Sequence, residues 1–158
     1  FGRPVHLAVI GGEPNAIPED MSDEMARLQK LCDDLCMGGL VVFLGKRGQD
    51  TLPYYYSAAE VVVMPSLYES FGMVALEAMA CGAPTITSST SSLPEVAGDA
   101  AVLVDPEDVE ALGTAIVQVL SDQSLRQRLR KRGFERARLF TWQRTALRTS
   151  ALYRELCA

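Results

Sequence analysis

Residues 60–82 read EVVVMPSLYESFGMVALEAMACG. The apolar run 61–64 is stopped by Pro65, a polar loop occupies 66–70, and 71–81 has the composition of a helix. Strand, loop and helix in that order present a helix N-terminus at the carboxyl end of a strand, where open α/β sheets bind their ligands. Gly72 falls in the first turn of the expected helix, where the lack of a Cβ lets a ligand approach amides that have no partner inside the helix. Those amides and the positive end of the dipole suit a phosphate or another anion. Glu69 stands just before the helix and Glu77 about two turns into it. Glu77 is the only charged residue of 71–81, among Val74, Ala75, Leu76, Ala78, Met79 and Ala80. A carboxylate there has to be paired, hydrogen-bonded or turned to a wet cleft, because burying it alone costs several kcal/mol. Taken by themselves, the two acids are also accounted for as a helix-start residue and a solvent-facing position, so the pair alone defines no site.

Upstream of this corner, 5–10 (VHLAVI) reads as a buried parallel strand, closed by Gly11-Gly12 in a tight turn on the ligand side of the sheet. A loop with Pro14 and Pro18 follows, then a helix over about 21–36 with Met25, Leu28, Leu31, Cys32 and Leu35 at helical spacing, capped by Asp20 or Ser22 and ended by Gly38-Gly39. Residues 40–44 (LVVFL) form the next strand, and Gly45, Lys46 and Arg47 open the loop on its ligand side. The two cations fit a base edge or a phosphate, and they fit a solvated surface loop equally well. A short helix over 52–59 contains Tyr54, Tyr55 and Tyr56, which cannot all share one face, so at least one is expected to be exposed and the others to pack.

Downstream, the pattern gives a strand at 84–87, a hydroxyl run Ser88-Ser89-Thr90-Ser91-Ser92, a short helix at 93–97 and a strand at 101–104. Helices at 109–120, 125–139 and 142–156 follow, with Asp108 and Thr141 as caps. The hydroxyls of 88–92 have two readings, contact with a ligand or capping of the short helix. Seven cationic residues are spread around most of the 125–139 helix, the pattern of a solvated face.

At 158 residues, with 48% hydrophobic and 22% charged residues, the chain is the size of one soluble domain. A net charge of −5 argues against a general nucleic-acid or bilayer surface. No apolar run reaches the length of a membrane span and no signal-peptide pattern opens the chain, so a cytoplasmic location is expected. The four cysteines read as reduced, buried, small apolar residues, since the single histidine, His6, cannot complete a zinc site with Cys32 and Cys36. No Gly-x-Gly-x-x-Gly follows either early strand, which sets aside a nicotinamide-dependent dehydrogenase.

As a whole, PSLYESFGMVALEAMACGAP (65–84) closely resembles the donor-binding signature of family four retaining glycosyltransferases of the GT-B fold. The likeness extends through FLGKRGQDTLPYYYSAAEVVVMPS before it and SLPEVAGDAAVLVDPEDVEAL after it, covering about 5–153. The resemblance implies an α/β fold, a Rossmann-like parallel sheet flanked by helices that forms the C-terminal half of a GT-B enzyme. It implies that 1–158 is a single donor-binding domain. It implies further that Glu69 and Ser70 contact the donor sugar, that Phe71, Gly72 and Met73 cradle the distal phosphate, and that Glu77 holds the ribose hydroxyls. The nucleobase would lie by Gly45, Lys46 and Arg47, with the Gly11-Gly12 turn beside the nucleotide. The partner is then a nucleoside diphosphate sugar, with no cofactor and no metal. Two departures stand out. Ser91-Ser92 replaces the Gly-Gly of many relatives, and the N-terminal acceptor domain is absent together with the first strand and helix of the donor domain, which carry an Arg and a Lys that neutralise the diphosphate. A sheet without that central strand has a gap, to be filled by another chain or by repacking unless, as is expected here, the sequence is a fragment of a longer polypeptide. Such a gap also favours self-association, and the isolated chain is expected to bind donor weakly without turnover. A non-catalytic nucleotide-binding or structural α/β module is the alternative.

Overall fold

The computed structural model describes residues 4–13 and 22–157. The expected loop with Pro14 and Pro18, Asp20 as a cap, and the chain's first three residues lie outside the described residues. The chain divides into two compact units, Phe1–Leu52 and Pro53–Ala158.

In the first unit, strands β1 (Leu7–Ile10) and β2 (Val41–Gly45) pair in parallel, with helix α1 (Asp23–Asp34) between them in sequence. Ser22 is the N-cap of α1, its hydroxyl accepting from the Met25 amide at 3.3 Å. The strand expected over 5–10 is parallel but shorter, and it is not buried: Leu7 is half exposed, and Val5 and Ile10 are exposed as well. The reason is coverage. Leu28, Leu31 and Cys32 of α1 stand opposite Val9, Val41 and Phe43 across an apolar cleft of about 150 Å³, so even the covered face is loosely filled. Met25 is the one buried hydrophobic residue of this unit among those described. Helix α1 stops at Leu35, before the Gly38-Gly39 pair, because Cys36 takes a left-handed backbone (φ 53°). Cys36 and Cys157 are exposed, and Cys32 and Cys81 are partly exposed, so the cysteines are free but not the buried residues expected.

In the second unit, β3 (Val62–Met64), β4 (Thr85–Ser88) and β5 (Ala101–Val104) form a parallel sheet with β4 in the centre. Alternation along the strands sends Ile86 and Val104 to one face, where they meet Ala115 and Val119 of α5 (Val109–Ser121) and Leu129 of α6 (Gln123–Ala137). On the opposite face Met64 packs with Ala75 of α3 (Met73–Ala80) and Leu93 of α4 (Leu93–Ala97). Thr85, Thr87 and Ser88 of β4 are fully buried, and each hydroxyl donates to a backbone carbonyl. Among the described residues the five strands form parallel sheets flanked by helices, β1-β2 in one unit and β3-β4-β5 in the other. Helices α2 (Leu52–Ala58) and α7 (Trp142–Leu156) complete the order; Thr141 caps α7, and none of its residues is buried.

Two details show what holds the second unit's helices. Helix α3 ends in a Schellman turn, with Gly82 N–H donating to Met79 O and Ala83 N–H to Ala78 O. Gly82 takes φ +78°, and a Cβ on it would stand 2.6 Å from the Phe134 ring, so both conformation and space demand glycine. The cations of α6 are not a uniformly solvated face. Arg126 donates to the Val119 and Leu120 carbonyls at the end of α5, and Arg136 donates to the Glu95 and Val96 carbonyls within the short α4. The expectation from charge spacing missed this because carbonyls released at a helix end carry no signature in the sequence.

Candidate functional site

The loop between β3 and α3 places Glu69 and the start of α3 together. The helix begins two residues later than the expected 71–81: Gly72 is the N-cap, with φ +102°, and Met73 is the first helical residue. Gly72 has a structural reason beyond ligand access, since a Cβ there would lie 2.8 Å from Leu93 Cδ2 and L-residues rarely adopt its φ. No side chain caps the first turn of α3, so its leading amides are free of the usual side-chain acceptor. Glu69 is half-buried, and its Oε1 accepts from the Phe71 amide at 3.5 Å, the outer limit of a hydrogen bond. Ser70 is exposed, as are Phe71 and Met73, and the Phe71 ring meets Phe140 edge-on with centroids 6.0 Å apart.

Glu77 is half-buried on a helix that is otherwise buried at Ala75, Leu76, Ala78 and Met79. The partner that its position demands is Tyr56, whose hydroxyl donates to Glu77 Oε2 at 3.0 Å. Tyr56 is only 7% exposed, whereas Tyr54 is 75% exposed, so the three tyrosines divide as their spacing requires. Burial first, and then the Glu77 carboxylate, push the Tyr56 phenol up to about 12. The spacing of the tyrosines points mainly to packing and does not mark Tyr56 as this donor; its sequence signal is the lone acid of α3, which needs a donor from elsewhere.

The segment after β4 neither caps α4 nor stands free. Ser92 is the N-cap of α4 by position, yet its hydroxyl makes no cap bond and donates instead to the Glu69 carbonyl at 2.8 Å. Ser91, at φ +51°, accepts from the Glu69 amide at 3.0 Å. A left-handed backbone is one that glycine adopts without strain, so Ser91 carries a side chain where the conformation disfavours one.

In the first unit, Gly11 and Gly12 both have positive φ at the end of β1, and the Gly11 amide donates to the Gly45 carbonyl at 3.0 Å. The structure therefore brings the glycine turn and the start of the cation loop together. Lys46 Nζ lies 2.7 Å from Glu13 Oε1, both side chains exposed, and this bond with the Lys46 charge holds the Glu13 carboxyl below its ordinary range. Arg47 donates to the Lys46 carbonyl at 3.2 Å. Glu13 went unremarked in the sequence because its partner is 33 residues away. Among the described residues no group of three or more His, Cys, Asp or Glu side chains gathers in one place, and no helix is long and apolar enough to cross a membrane.

Parallel sheet strands followed by helices, with an acid-flanked helix start at a strand's carboxyl end, define a protein of the Rossmann-like α/β class. The profile described as "Glycosyl transferases group 1" matches residues 2–136, and the chain belongs to that family. Among curated relatives, it is 43% identical over 118 residues to O-antigen chain mannosyltransferase B of Escherichia coli, covering 75% of this chain and 31% of that protein. It is 38% identical over 152 residues to D-inositol 3-phosphate glycosyltransferase of Corynebacterium jeikeium, covering 95% and 35%. Among solved structures, sucrose-phosphate synthase from Thermosynechococcus elongatus superposes with a TM-score of 0.83 at 39% identity, over 96% of this chain and 38% of that one. The chain spans about a third of the length of the curated relatives it matches.

Proposed function

We propose that this chain is the donor-binding domain of a retaining glycosyltransferase, which moves a hexose from a nucleoside diphosphate sugar to an acceptor hydroxyl. The observation that carries the reading is the corner around α3. A single helix start with no side-chain cap lies between a loop carboxylate, Glu69, and a helix carboxylate, Glu77, that a buried tyrosine holds in place. Carboxylates accept paired hydrogen bonds from vicinal diols, and unpaired helix amides accept an anion. In the proposed roles Glu77 takes the ribose hydroxyls, Phe71, Gly72 and Met73 take the distal phosphate, and Glu69 with Ser70 takes the sugar. Gly45, Lys46 and Arg47 take the base, with Gly11 and Gly12 on the nucleotide side. The work of such a domain is electrostatic: it stabilises negative charge on the diphosphate as the glycosidic bond breaks, here through amides and dipole rather than a metal. Sugar transfer agrees with the two relatives, a mannosyltransferase and a glycosyltransferase. The reading extends to a cytoplasmic enzyme in which an acceptor domain completes the reaction, so that the chain alone binds donor weakly and does not turn over.

Calorimetric titration with UDP, GDP and ADP, repeated on Glu77→Ala, tests this. One nucleotide is expected to saturate, with affinity reduced by roughly 1–3 kcal/mol in the variant through lost hydrogen bonds. Absence of binding by all three, from a folded chain, overturns the donor-site reading in favour of a structural module.

A further inference from the structure

We propose that the hydroxyl side chains after the middle of β4 are positioning residues for Glu69: they form a strap that fixes the acid-bearing loop before any ligand arrives. The proposal rests on the donor-site reading of the corner. The strap runs in step with the loop. Thr87 donates to the Met64 carbonyl at 3.3 Å, Ser88 to Ser66 at 2.7 Å, Thr90 to Leu67 at 3.2 Å and Ser92 to Glu69 at 2.8 Å. The Glu69 amide returns a bond to Ser91 Oγ at 3.0 Å. Both backbone groups of Glu69 are therefore held by adjacent serine hydroxyls.

The loop has little else to fix it. Leu67 and Tyr68 are 67% and 81% exposed, so its large side chains bury little, and its placement leans on these backbone bonds. Two local sacrifices point the same way. Ser92 makes no bond to the first turn of α4, where Pro94 offers no N–H and the Glu95 amide is left to other partners, and its hydroxyl goes to Glu69 instead, although serine at an N-cap ordinarily serves its own helix. Ser91 holds a left-handed backbone that disfavours any side chain, yet that side chain meets the Glu69 amide. Each departs from its local optimum, and each serves the same peptide unit. A strap of this kind orients a carboxylate in advance, which lowers the ordering cost of binding at the sugar end and leaves the nucleotide end untouched.

The test compares the 158-residue chain with Ser92→Ala, with Ser91→Gly/Ser92→Ala and with Ser92→Thr. Amide hydrogen exchange is read without ligand, and affinities are read for UDP-glucose with UDP, GDP-mannose with GDP, and ADP-glucose with ADP. In the double variant, exchange at 67–71 is expected to rise about tenfold, as two lost hydrogen bonds allow, with exchange in α5 and α6 unchanged. The affinity gain of the sugar nucleotide over its parent diphosphate is expected to fall by a similar factor, with the diphosphate itself unchanged within about twofold. Ser92→Thr keeps the hydroxyl and restores both readouts, and Ser92→Ala alone carries the same test should the double variant unfold. Unchanged loop exchange overturns the strap. A loosened loop that keeps its sugar gain overturns the positioning role while the donor-site reading stands. Wild-type chain that binds none of the six ligands overturns the donor-site reading, and the positioning role with it.

Discussion

The two units use the same parallel strand and helix, yet one is packed and the other is nearly bare. In Pro53–Ala158 the central strand β4 is buried at every residue, with α5 on one face and α3 and α4 on the other. In Phe1–Leu52 the pair β1-β2 has a loosely seated α1, and β1 is exposed at three of four residues. The difference lies in coverage, not hydrophobicity. Leu-Ala-Val-Ile is the more apolar sequence, yet Thr-Ile-Thr-Ser is the segment that ends up buried. A strand's burial is decided by what packs on its faces and beside it, a property of the whole fold.

The strongest challenge to this contrast is native-state hydrogen exchange. Amides of β1 and β2 are expected to exchange on the order of a thousandfold faster than those of β4 and β5, a gap of about 4 kcal/mol in opening free energy. Equal protection in both sheets would break the comparison. Paired truncations sharpen it: Ile86→Ala, at a fully buried position, is expected to cost about 3 kcal/mol in urea unfolding, and Leu7→Ala, at a half-exposed one, well under half of that. The smallest effect concerns the tyrosine that secures Glu77. Tyr56→Phe is expected to cost about 1 kcal/mol at neutral pH through the lost hydrogen bond. Because the folded phenol titrates near 12, above its ordinary 10, the wild type keeps this contribution up to about pH 10 and loses it as pH rises towards 12. Equilibrium unfolding followed between pH 9 and 12 should show that decline in the wild type and a flatter profile in the variant.

The order of elements and the corner at 60–82 were legible in the sequence, because an apolar run, a proline stop and a lone acid in a small-residue helix each have a local cause. What escaped was every partner distant along the chain. Tyr56 reaches Glu77 across 21 residues, Ser92 reaches Glu69 across 23 and Arg136 reaches Glu95 across 41. No periodicity encodes such pairings. Burial of β1 was misjudged because an apolar run states what a strand could bury, not whether cover is supplied. The two-residue offset at the start of α3 has its cause at Gly72, whose left-handed φ places it, and Phe71 before it, outside the helix.

The arginines of α6 also bear on how this chain can vary. A charge tally treats them as interchangeable, but Arg126 and Arg136 each hold two carbonyls of another helix, while among the described residues no carbonyl is held by Arg128 or, at the helix's C-cap, by Arg138. Lysine offers one point charge in place of a planar guanidinium, so exchange at the first two removes a joint between helices, and exchange at the other two alters only the surface. Along one helix and its cap, therefore, the same amino acid is held to two different standards of substitution, and a library that randomises these four arginines should tolerate lysine at 128 and 138 and reject it at 126 and 136.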